Sequence, residues 1–103
     1  MFYKLQKIED LNGCIAYDCG KMLYISLEKG AIVSDHSHNY PETVFLMKGE
    51  VEIILGEKKE SIAAPAKIII PANTYHKFTA VTEVIGLEIK TNKFQRFISR
   101  FFK

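Results

Sequence analysis

The sequence predicts an all-β fold, a sandwich or barrel. Two observations carry this: most of the chain divides into short extended runs rich in β-branched and aromatic residues, and turn residues interrupt those runs at regular spacing. The predicted strands are Phe2 to Ile8, Cys14 to Asp18, Lys21 to Glu28, Ala31 to His38, Thr43 to Lys48, Glu50 to Leu55, Lys67 to Ile70, His76 to Ala80 and Glu83 to Lys90. Between them, Asn12-Gly13, Cys19-Gly20, Lys29-Gly30, Lys48-Gly49 and Leu55-Gly56 each supply a glycine where the chain has to reverse. Five of the six glycines therefore fall at predicted turns. With 103 residues, no internal repeat and no linker-like stretch, the expectation is one domain, since two would each bury too little apolar surface to fold.

The pattern changes after Lys90. Phe94, Phe97, Ile98 and Phe101 recur at helical spacing, with Lys93, Arg96, Arg100 and Lys103 on the other side, which predicts a short amphipathic helix over about 92–102. Its phenylalanines would dock on the barrel (about 2–90) or on a partner subunit, so a homodimer is the expected assembly.

Composition excludes several function classes. No apolar run approaches the roughly 20 residues of a membrane-spanning helix, and the N-terminus has no signal-peptide core. A cytoplasmic location is expected. The net charge of +2 is too small to argue for a nucleic-acid partner, and there is no room for a helix-turn-helix beside the barrel. Cys14 and Cys19 would point to opposite faces of a single strand and lack the two-residue spacing of zinc or redox motifs, so they read as small buried hydrophobes in a reducing compartment.

The chemistry lies in the histidines. Of only three in the chain, two form His36-Ser37-His38, and on an extended strand residues two apart project from the same face. Glu42 follows after Asn39-Tyr40-Pro41, a bend that can bring its carboxylate back toward the imidazoles. His76, just after the turn Pro71-Ala72-Asn73-Thr74, can supply a third nitrogen. Any lone histidine reads better as a surface or hydrogen-bonded residue, but this arrangement accounts for all three and leaves none over.

On these residues the sequence resembles the cupin superfamily. Its first motif is a glycine, five residues, His-x-His, three or four residues, a glutamate, six residues and a glycine; here these fall on Gly30, His36, His38, Glu42 and Gly49. The second motif falls on Pro71, Asn73 and His76, with Pro65 where a first glycine is usual, Asn73 where the turn glycine is usual and Ala80 where an asparagine is usual. Asparagine enters the left-handed region more readily than other non-glycine residues, so the second departure is tolerable. The resemblance implies a double-stranded β-helix, or jelly-roll, barrel holding one divalent metal on His36, His38, Glu42 and His76.

Imidazole and carboxylate ligands suit Mn, Fe, Co, Ni, Cu or Zn without choosing among them. Four protein ligands leave an octahedral ion two open positions. The expected function is metal-dependent catalysis on a small organic molecule, by a dioxygenase or by an isomerase or lyase; the alternative is a non-catalytic module binding a metal or small ligand. Ligating imidazoles have to be neutral, so metal affinity falls as pH drops through the histidine range. Tyr40 and Lys48 are the candidates for contact with substrate or ligands, and alternation from Glu42 places Val44 and Leu46 on its inward face, giving an apolar wall.

Overall fold

The structure is a computed structural model that describes residues 1–90. The predicted C-terminal helix lies outside the described residues, as do the side chains of Ser34, Asp35 and His36. The described residues form ten strands: β1 Gln6–Leu11, β2 Cys14–Asp18, β3 Met22–Leu27, β4 Ile32–His36, β5 Glu42–Lys48, β6 Glu50–Leu55, β7 Lys58–Ala63, β8 Ala66–Ile70, β9 His76–Ala80 and β10 Val84–Ile89. They form two antiparallel sheets, ordered β1-β2-β3-β10-β5-β8 and β4-β9-β6-β7. The strands from the second half of the chain insert between those of the first: β10 lies between β3 and β5, and β9 between β4 and β6. This is the jelly-roll connectivity that the resemblance implied.

Local chemistry sets the hairpins. Asn12 and Gly13 both have positive φ, 53° and 80°, as a two-residue hairpin of the type that matches strand twist requires. Gly49 joins β5 to β6 at φ 92°. A Cβ built on it would lie 2.1 Å from the carbonyl oxygen of Glu83, so this turn passes too close to the segment before β10 for any side chain.

Two expectations are corrected. The first strand begins at Gln6 rather than Phe2, because its partner β2 ends at Asp18, which is matched by Gln6. Met1, Phe2, Tyr3 and Leu5 are exposed. A strand the sequence did not reveal, β7, pairs along its whole length with β6. Lying at the edge of its sheet with mostly exposed side chains, it has no reason to alternate apolar and polar residues.

The core fills the space between the sheets. Leu27, Leu46, Val51, Ile53, Ile68, Ile70, Phe78 and Val84 form one buried cluster, and each such side chain removed from water contributes about 1.5–3 kcal/mol. Leu46 is buried and Val44 packs against the cluster, as alternation from Glu42 predicts. Cys14 is buried and Cys19 half-buried. Among the described residues, the buried polar or charged side chains are His38, Glu42, His76 and Glu88.

Candidate metal centre

Three of those four buried polar residues converge. Glu42 opens β5 and turns inward, only 1% exposed; His76 opens β9 and is fully buried. His38 stands just beyond the end of β4. Glu42 Oε1 lies 2.5 Å from His38 Nε2 and 3.7 Å from His76 Nε2. One ligand atom from each of the three lies within 4.8 Å of the others.

Backbone contacts hold this arrangement. The His38 carbonyl accepts a hydrogen bond from the Asn73 amide at 2.5 Å, tying the loop after β4 to the turn before β9. Asn73 makes this possible by adopting φ 58°, the left-handed turn that asparagine tolerates. Replacing Asn73 by valine is expected to cost about 1–2 kcal/mol, a fall of roughly 5–15 °C in thermal unfolding temperature, whereas Asn73→Gly should leave it nearly unchanged. His76 Nδ1 lies 3.0 Å from the Thr74 carbonyl oxygen. A carbonyl only accepts, so Nδ1 carries the proton of this bond and Nε2 is the ring nitrogen that faces Glu42.

The rings pack closely around this point. The His38 ring stacks on Tyr40, with centroids 4.8 Å apart and 14° between planes, and lies 4.9 Å from His76. Phe78 meets His76 edge-on at 6.3 Å.

The donor set fits a divalent transition metal. Metal–nitrogen and metal–oxygen bonds of about 2.0–2.2 Å put adjacent ligand atoms about 3–3.4 Å apart, and the separations of 2.5 and 3.7 Å bracket that range. Two imidazoles with a buried carboxylate are also ligands such ions accept.

Of the remaining sequence candidates, His36 contributes backbone here: it pairs with His76 across β4 and β9, at the end of the barrel where the other three meet. Tyr40 reaches the cluster through its stack on His38. Lys48 is at the opposite end of β5 from Glu42, exposed, and 3.7 Å from Glu83 in an ion pair, so the structure does not bring it to the cluster. Sequence reasoning missed Glu88. The run Val84-Ile85-Gly86-Leu87-Glu88-Ile89 offers its more apolar side as Ile85, Leu87 and Ile89, yet the fully buried side is Val84, Gly86 and Glu88.

Fold and cluster together define a class: a double-sheet antiparallel barrel with two imidazoles and a carboxylate gathered inside one end. The sequence matches the Cupin domain family over residues 23–89, and the chain belongs to that family. None of the curated proteins compared matches this sequence. Among solved structures, an RmlC-like cupin from Shewanella frigidimarina superposes with a TM-score of 0.75 at 15% identity, covering 88% of this chain and 89% of that one. The hydroxypropylphosphonic acid epoxidase from S. wedmorenis gives 0.73 at 12% identity, over 84% of this chain and 55% of the epoxidase. The CENP-C cupin domain of Drosophila melanogaster gives 0.69 at 13%, over 85% and 76%. At these identities the likeness is one of fold.

Proposed function

We propose that this chain is a metal-dependent cupin enzyme, holding one divalent transition metal on His36, His38, Glu42 and His76 and acting on a small organic molecule. The observation that carries the reading is the convergence of His38, Glu42 and His76, three of the four buried polar or charged side chains among the described residues, on one point. A bound divalent metal supplies Lewis acidity toward a carbonyl or enolate oxygen, or a redox partner for dioxygen, hence an isomerase or lyase, or a dioxygenase. The chain's own groups do the rest. Thr74 orients the ring of His76, Tyr40 packs on the face of His38, and Phe78 packs edge-on against His76. The name of the epoxidase is consistent with small-molecule chemistry on this fold.

The second reading, a non-catalytic module, is favoured by the 2.5 Å approach of His38 Nε2 to Glu42 Oε1, two groups close enough to interact directly with each other. The CENP-C domain is likewise named as a cupin domain rather than as an enzyme. Metal analysis of protein purified without added metal, followed by oxygen uptake and turnover with diketones, catechols, thiols and sugars, separates the two. Stoichiometric metal with turnover supports the enzyme; metal without turnover across the panel supports the module. A wild type that takes up none of the six candidate ions overturns the metal centre. The same reading takes the chain as one cytoplasmic domain acting as a homodimer without nucleic-acid or membrane partners; gel filtration with and without residues 91–103 tests the pairing.

A further inference from the structure

The barrel is open along one side. β7 ends one sheet and β8 the other, and residues 64–65 join them. Between the two edges lies a cleft of about 270 Å³ whose lining includes Ile53, Leu55, Lys58, Glu60, Ile62 and Ile68. That is room for a small organic molecule rather than for a single water. The cleft adjoins the metal cluster, because Leu55 is the cross-strand partner of His76.

Strand register brings the two charged residues into it. Lys58 is matched with Leu55 and Glu60 with Ile53 across β6 and β7, and Leu55 and Ile53 are matched in turn with the buried His76 and Phe78 of β9. Directly opposed residues of neighbouring strands share a sheet face, so Lys58 and Glu60 stand on the inner face, where a sandwich ordinarily carries apolar side chains. Both are exposed, so their charged ends are within reach of a ligand arriving from solvent. Among the described residues neither is in an ion pair, with the other or with a third group. The remaining charged residue of the lining, Lys67, has its ammonium 5.8 Å from the centre of the Phe45 ring. The cleft thus offers one ammonium and one carboxylate, from positions about 7 Å apart along the strand, over an apolar floor.

We propose that this cleft binds a small zwitterion with an apolar body, the chemistry of an apolar amino acid. The Lys58 ammonium donates to its carboxylate, its own ammonium donates to the Glu60 carboxylate, and its side chain lies on Leu55, Ile62 and Ile68. A plain carboxylic acid or a plain amine answers one of the two charges and leaves the other unmatched. This deepens the proposed function by naming the class of organic molecule, and rests on that reading only for the neighbouring metal. Inward charges also protect an edge strand from unwanted pairing, but that role alone calls for no ligand.

The test titrates L-phenylalanine, phenethylamine and 3-phenylpropionate into the protein, following the backbone amide shifts of β6 to β8 by NMR, with metal content measured on the same samples. Phenylalanine is expected to bind saturably, and the two singly charged analogues about 3- to 10-fold more weakly, the size of one partly exposed charge-assisted contact. Lys58→Met should bring phenylalanine down to the affinity of phenethylamine, and Glu60→Gln should bring it down to that of 3-phenylpropionate. Lys59→Met, on the opposite face of β7 where Lys59 pairs with Glu52 at 3.6 Å, should change neither. No saturable binding to wild type, equal affinities for the three probes, shifts that spare β6 to β8, or an unchanged phenylalanine affinity in Lys58→Met or Glu60→Gln would each overturn the cleft as a site. The expected pattern in a wild type that takes up no metal would support the cleft and refute the metal reading, and metal uptake without the pattern would do the reverse.

Discussion

Glu42→Gln is expected to lower metal affinity by more than about 100-fold, since loss of even an outer partner of a metal ligand costs about 10–100-fold. The same change should destabilise the metal-free protein less than loss of the His38 ring does, because it keeps the side-chain volume and a polar group beside His38. The two effects separate in thermal unfolding. At a metal concentration 100 times Kd, binding stabilises the folded state by about 2.7 kcal/mol, or roughly 10–20 °C for a domain of this size. Wild type should show that rise on adding metal and Glu42→Gln should not. His38→Ala provides the contrast: removing the imidazole 2.5 Å from Glu42 strips a buried carboxylate of its nearest partner. It should destabilise the metal-free protein by about 3–5 kcal/mol as well as abolish metal uptake. A Glu42→Gln protein that still binds metal stoichiometrically would exclude Glu42 as a ligand.

The second large effect is at Gly49. An alanine there would carry a methyl carbon 2.1 Å from Glu83 O and 2.7 Å from Thr82 Oγ1, at a φ of 92°. Thr82 Oγ1 accepts from the Glu50 amide, and Val81 N donates to Glu50 O at 2.9 Å, so the facing backbone can move only by breaking these bonds. Gly49→Ala is expected to cost about 3 kcal/mol or more, lowering the unfolding temperature by roughly 12 °C or more. Gly30, the other glycine of the first motif, has a similar φ of 86° but no atom within 4 Å of where a Cβ would stand. Gly30→Ala should therefore cost only the conformational strain, about 1–2 kcal/mol. Equal losses at the two positions in denaturant unfolding would rule out the close approach as the cause.

Much of this was legible because local chemistry and tertiary structure agree. Glycine turns delimit strands whose alternation is real, and the histidine and glutamate spacing needs only an extended strand and a bend to bring the groups together. What stayed hidden depends on partners far along the chain. Lys58–Ala63 becomes a strand because β6 offers it a complete ladder, not because Lys-Lys-Glu-Ser-Ile-Ala favours one. Residues 2–5 look extended but have no facing residues on β2. Lys48 lies close to Glu42 in sequence, yet a strand of seven residues carries it to the other end of the barrel. Glu88 was masked by its own strand: both faces of β10 are at least partly covered, so hydrophobicity alone does not tell which one turns inward.

The bond between the His38 carbonyl and the Asn73 amide has a consequence for how the chain matures. Both the ligand pair at the start of β5 and the loop after β4 are complete long before the turn that clamps them has been made, and β9 takes its place only by inserting between β4 and β6. Such pairings between distant segments form late and slowly. If the proposed metal is bound, the complete ligand set therefore exists only once the barrel has closed, and metal retention would report finished folding.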